Sequence, residues 1–74
     1  MKKRWIKMNN MSDIKGFLER ALKVEGSIII KKGIYVIDGK SIMGFFSIDT
    51  TSGFSVEYPA TATEFDEFVA QFEA

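Results

Sequence analysis

The sequence predicts a two-layer α+β domain, an antiparallel sheet with helices on one face, and three observations carry that expectation. Four short segments are β-branched or alternate apolar with polar residues, as half-buried strands do. Three others place apolar residues three and four apart, the stripe of an amphipathic helix. The two kinds are interleaved as β-α-β-β-α-β-α within 74 residues, enough chain for a single domain spanning residues 1–74.

Arg4, Ile6 and Met8 alternate with Lys3, Trp5 and Lys7, which predicts a first strand over residues 3–8. Asn9-Asn10-Met11-Ser12 breaks the alternation, with Ser12 expected as a helix N-cap and Asp13 in the first turn. Ile14, Phe17, Leu18, Ala21 and Leu22 then form one helical stripe, which Glu25-Gly26 ends. Gly16 inside that helix costs about 1 kcal/mol relative to Ala, which the stripe tolerates. Two β-branched runs, residues 27–31 and 34–37, are joined through Lys32-Gly33, a hairpin in which glycine takes positive φ. Asp38-Gly39 makes the next turn, and Ser41 stands as N-cap before a short helix with Ile42, Met43, Phe45 and Phe46. Thr50-Thr51-Ser52-Gly53 reads as a loop, and Phe54, Val56 and Tyr58 alternate with Ser55 and Glu57 in a fourth strand closed by Pro59. Thr61-x-x-Glu64 has the form of a capping box opening the last helix, whose stripe is Phe65, Phe68, Val69 and Phe72. No internal repeat, linker or low-complexity tract interrupts the pattern.

Composition narrows the chemistry. With no cysteine there is no disulfide and no thiolate site. With no histidine the commonest general base, the commonest metal ligand and the phosphohistidine acceptor are all missing. Glu64, Asp66 and Glu67 read as a solvated first turn complementing the helix dipole, not as a catalytic pair. The expectation is a protein that is not an enzyme and carries no cofactor and no metal ion. Ten basic and ten acidic residues balance to zero, without the basic excess of a dedicated nucleic-acid binder. Residues 1–40 nevertheless hold all ten bases and four acids, net +6, and residues 41–74 hold six acids and no base, net −6. No apolar signal-peptide core follows Lys2, Lys3 and Arg4, and no run has the length of a membrane span, so a soluble cytoplasmic protein is expected.

The run Lys40-Ser41-Ile42-Met43-Gly44, with Phe46-Ser47-Ile48 behind it, resembles the second-helix segment of HPr, the small histidine-containing phosphocarrier of the bacterial sugar phosphotransferase system. The element order is also that of HPr, over essentially the whole chain. The resemblance implies an HPr-like open-faced β-sandwich, a four-stranded antiparallel sheet in order 1-4-2-3 with three helices on one face. HPr proteins carry phosphate on a histidine opening the first helix, in a His-x-Arg-Pro-like context. Laid without gaps from the shared motif, that histidine falls on Asn10, its arginine on Ser12 and the proline on Asp13. Asn10 cannot form the phosphoramidate and Asp13 repels a phosphate, so no histidine phosphocarrier is expected.

In HPr proteins of Gram-positive bacteria the serine matching Ser41 is phosphorylated by an ATP-dependent HPr kinase, and the product acts in carbon catabolite control. A histidine-lacking relative, the catabolite-repression HPr-like protein, keeps that serine, although it also keeps the arginine that Ser12 replaces here. A phosphate at a helix N-terminus meets unsatisfied amides and the positive dipole end, with Lys40 adjacent. A neutral N-cap serine, stabilising by about 1 kcal/mol, is the other reading of Ser41. The HPr docking patch for phosphotransferase-system proteins and the kinase matches Ile42, Met43 and Phe46. Ile42, Phe45 and Phe46 also suit a core stripe, and Met43 lies off it as the best exposed contact. Glu19, Leu22 and Gly44 stand where HPr often has cationic or polar residues.

Two functions follow as expectations: a regulatory protein switched at Ser41, or an HPr-fold binding module without phosphate chemistry, monomeric or self-associating through Trp5, Tyr35, Phe46 and Phe54. The partners implied are proteins, an HPr kinase and phosphotransferase-system or catabolite-control proteins, rather than nucleic acid or membrane. Lys2, Lys3, Arg4, Lys7, Lys31 and Lys32 with Trp5 are accounted for as solvated strand residues that blunt an edge.

Overall fold

The computed structural model describes residues 1–73. Along the chain run β1 (Lys2–Ile6), α1 (Met11–Ala21), β2 (Ile29–Lys32), β3 (Tyr35–Asp38), α2 (Ile42–Phe45), a 3-10 turn (Thr50–Ser52), β4 (Phe54–Tyr58) and α3 (Thr63–Ala70). The four strands form one sheet in order β1-β4-β2-β3, each neighbour antiparallel. This is the order the resemblance implies. No helix among the described residues is long and apolar enough to cross a membrane.

β4 lies between β1 and β2, and its alternation sends Phe54, Val56 and Tyr58 to the helix side, all fully buried. Their cross-strand partners Ile6 and Ile30 share that side and are equally buried. Phe17 of α1 centres the helix layer, edge to face with Phe45 of α2 at 5.0 Å and with Phe65 of α3 at 5.1 Å. Phe45 reaches on to Phe54, and Phe65 to Tyr58. Such pairs stabilise by about 0.5–1.5 kcal/mol beyond the area they bury.

Several element boundaries differ from the sequence reading, each for a local reason. Asn10, not Ser12, caps α1: its extended backbone lets the side-chain carbonyl accept the Asp13 N–H at 2.9 Å. Ser12 lies exposed inside the first turn. Leu22 is exposed rather than in the core, because α1 stops at Ala21 and a tight turn, Val24 N–H to Ala21 O at 3.1 Å, brings Val24 inward instead. β1 ends two residues early; Met8 is still buried, its N–H donating to Thr50 O and its carbonyl accepting from Thr50 Oγ1. Asp49 caps the segment read as a loop, accepting from the Thr51 N–H, and this makes it a 3-10 turn. In the β2–β3 hairpin the loop is Gly33-Ile34, one residue later than expected, with Gly33 at φ +59°. Phe54, expected among the exposed aromatics, is fully buried. The Thr61 capping box does not form. Thr61 belongs to the turn after Pro59, where Ala62 N–H donates to Pro59 O at 3.0 Å, and α3 starts from Ala62 without a side-chain cap.

That late start turns Asp66 toward β1. Its Oδ1 accepts from Arg4 Nε at 2.8 Å and from the Tyr58 hydroxyl, and its Oδ2 from Lys2 Nζ at 2.8 Å. Arg4 also reaches Glu73 at 2.9 Å. The hydrogen bonds from Arg4, then Lys2 and Tyr58, hold the Asp66 carboxyl well below the usual carboxylate range. Burial, reinforced by Asp66, pushes the Tyr58 hydroxyl up to about 12. Asp66 is therefore ion-paired rather than solvated, while Glu64 and Glu67 are exposed as expected.

Two outcomes test these assignments. Asn10→Ala costs about 1 kcal/mol in urea unfolding, whereas Ser12→Ala is close to neutral. Because Asp66 titrates lower in the folded than in the unfolded state, its contribution is present above the ordinary carboxylate value near 4 and is lost as pH falls below it. The urea midpoint of the wild type therefore drops from pH 5 to pH 2.5 more steeply than that of Asp66→Asn.

Candidate functional site

The segment from Asp38 to Ser47 is braced at its start by Asp38 of β3 and at its end by a bond within its own last turn. Asp38 O accepts the Ser41 N–H at 3.1 Å and Asp38 Oδ1 accepts the Lys40 N–H at 3.0 Å. Ser41 is extended (φ −99°, ψ 116°), and its Oγ accepts the Gly44 N–H at 3.2 Å, so it caps α2 as expected. At the other end Ser47 Oγ donates to Gly44 O at 2.6 Å. Gly44 lies flat on β3: a Cβ there would collide with the Ile37 side chain. This close approach accounts for glycine where HPr often carries a polar group.

With its backbone so placed, α2 buries one large side chain, Phe45, and turns the others out. Ile42 is 55%, Met43 80% and Phe46 62% exposed. Ile42 and Phe46 therefore do not join the core stripe that their spacing allowed, since a helix of four residues on one sheet edge has only one inward position. Lys40 is half-buried. Its Nζ turns back to donate to Val24 O at 2.8 Å, so the cation adjacent to Ser41 is engaged with the end of α1.

At the start of α1, Asn10 is exposed with its side-chain oxygen committed to the Asp13 N–H, and Asp13 adds a negative charge to the same turn. The Asn10 amide thus caps the helix, its oxygen taking the Asp13 N–H. Of the basic residues near β1 and β2, Lys2 and Arg4 pair with Asp66, Lys31 with Glu57 across the open face of the sheet at 3.0 Å, and Lys32 donates to Ser52 and Gly53. The Lys31 contact holds the Glu57 carboxyl below its ordinary value. Those cations are matched within the chain. The Arg4–Tyr58–Asp66 clasp escaped the sequence reading, although a signal existed: Arg4 shares the inward face of β1 with Ile6, and an inward arginine needs an acid opposite it.

No protein-family model matches the chain, and no curated protein does. Among solved structures it is similar to the crystal structure of a phosphocarrier protein HPr from Bacillus anthracis str. Ames. The two share 25% sequence identity with a TM-score of 0.68, over 97% of this chain and 94% of that one. The chain thus has the fold of the HPr phosphocarriers, in divergent form.

The division of labour on α2 is open to measurement. Phe45→Ala lowers the unfolding free energy by about 3–5 kcal/mol, and Phe46→Ala changes it by less than about 0.5 kcal/mol.

Proposed function

We propose that this HPr-like protein is a regulatory relative of the phosphotransferase system that is switched by phosphorylation at Ser41, and not a histidine phosphocarrier. The observation that carries the reading is the placement of Ser41 at the start of α2, directly beside an outward apolar face formed by Ile42, Met43 and Phe46. A charge added at that point changes a docking surface without disturbing the core. In the reaction the Ser41 hydroxyl oxygen attacks the γ-phosphorus of ATP, the bond to the β-phosphate oxygen breaks, ADP leaves, and the hydroxyl proton passes to a base on the kinase. The phosphate then stands at the start of α2, where Oγ accepts the Gly44 N–H. The protein partners implied are an HPr kinase and a phosphotransferase-system or catabolite-control protein, meeting a cytoplasmic, cofactor-free, single-domain, non-enzymatic chain. With Asn10, Ser12 and Asp13 at the carrier positions, no phosphorelay through α1 is part of the reading.

One observation favours a second reading, an HPr-fold binding module without phosphate chemistry. Lys40, the adjacent cation, is bonded to Val24 O rather than turned toward Ser41. Its docking face is the same one, Ile42, Met43 and Phe46 with Lys40 at its border.

Intact-mass measurement after incubation with ATP and an HPr kinase separates the two. The first reading expects one phosphate on the wild type and none on Ser41→Ala, whose lost cap costs about 1 kcal/mol and leaves the fold in place. An unchanged wild-type mass, where a true HPr is fully modified, overturns it and leaves the binding module.

A further inference from the structure

The sheet has two outer strands, and the chain treats them differently. β1 carries Lys2, Lys3 and Arg4, and its end is covered: Ile6 bridges Glu73, and the Lys7 N–H donates to Phe72 O at 3.0 Å. Charge and cover of this kind keep an edge from templating another strand. β3 has neither. Residues 34–38 hold Ile34, Tyr35, Val36 and Ile37 with one charge, Asp38, at the end, and the ladder to β2 runs without a bulge. Ile34 is 91%, Tyr35 57% and Val36 69% exposed.

The hairpin determines which backbone groups face outward. Gly39 N–H donates to Ile28 O at 2.7 Å, so residues 28 and 39 are a hydrogen-bonded pair. Bonded and non-bonded pairs alternate along an antiparallel ladder. Ile30–Ile37 and Lys32–Tyr35 are then the bonded pairs, and Val36 and Asp38 aim their amides away from β2. The Asp38 carbonyl is occupied by the Ser41 N–H. What remains at the centre of the edge is the N–H and C=O of Val36, one donor and one acceptor on one residue. A two-fold axis through that residue satisfies both.

We propose that the β3 edge is a self-association surface, on which two copies pair their β3 strands antiparallel about a two-fold axis at Val36, joining two four-stranded sheets into one of eight. In this register the two Val36 residues exchange both hydrogen bonds, and each Asp38 N–H lies alongside the copy's Ile34. Val36 meets its own copy on the open face, and Tyr35 lies opposite the copy's Ile37 on the helix side. The two Asp38 carboxylates end up at opposite ends, four residues or roughly 13 Å apart along the ladder, beyond the ~8–10 Å screening length at ordinary salt. The copy's β3 suits this edge because it is extended, apolar and uncharged at the pairing centre; β1, with three cations and a covered end, does not. An interface this small is at the weak end of specific association and depends on concentration. It is independent of the Ser41 reading.

Sedimentation equilibrium of the full chain tests it, together with amide exchange at low and high concentration. The weight-average mass rises with concentration from 8.4 kDa toward twice that value, and Val36→Lys, a substitution at an exposed edge, stays at the monomer mass. In the wild type the Val36 and Asp38 amides exchange more slowly as concentration rises, while those of Tyr35 and Ile37 keep constant protection. A monomer mass up to about 1 mM, dimerisation of Val36→Lys like the wild type, or concentration-independent exchange at Val36 overturns the proposal. The exchange measurement needs no variant, so it decides the matter even if Val36→Lys folds poorly.

Discussion

The edge-to-face contact of Phe17 with Phe45 and Phe65 holds three helices that have little stability of their own. α1 has eleven residues, α2 four and α3 eight, all below the length at which an isolated helix persists in water. Each is a helix because one of its aromatic rings is anchored in the row that continues into Phe54 and Tyr58 of β4. For α2 the dependence is extreme. Phe45 is its only anchor in the core, and the Gly44 backbone against Ile37 sets how flat it lies. Which side chains face the solvent follows directly, so the outward set of Ile42, Met43 and Phe46 is a consequence of how the core is pinned.

The two helix starts that the resemblance to HPr singles out, those of α1 and α2, differ in physical character. At the start of α1 the Asn10 side chain takes the Asp13 amide, and Asp13 adds a negative charge to the first turn. At the start of α2 the Ser41 hydroxyl oxygen accepts the Gly44 amide, and an apolar face lies beside it. A helix start can act on an anion only where its amides are not permanently claimed by a better-placed acceptor.

What could be read from the residues was whatever depends on period. Strand alternation through Phe54, Val56 and Tyr58 and the stripe of Ile14, Phe17, Leu18 and Ala21 place the sheet and the first helix without reference to the rest of the chain. The Lys40–Gly44 run added the topology by resemblance. What failed were the ends of elements, where two residues compete for one job. Asn10 and Ser12 both cap helices, and only the need to turn Phe17 inward chooses between them. Thr61 and Glu64 have capping-box spacing, but the turn after Pro59 uses Thr61 first. Leu22 satisfies the helical period one residue after the helix has stopped. The Asp66 clasp went unread for another reason: inward Arg4 called for an acid, but its partners Lys2, Arg4 and Tyr58 come from two other strands. Only the assembled sheet brings them to α3.

The strand order has a further consequence, for the sequence of events in folding. β1 and β2 both take β4 as a neighbour, and the pairing Ile6↔Phe54 spans 48 positions of chain. Until β4 is in place, α1 and the β2–β3 hairpin can form local turns, but β1 has no strand to join and one side of β2 stands open. The entropy of closing so long a loop must be met before the ladder returns any stability. β4 therefore works as a late keystone. Its arrival completes two ladders at once and buries the Phe54 and Tyr58 rings against the helices.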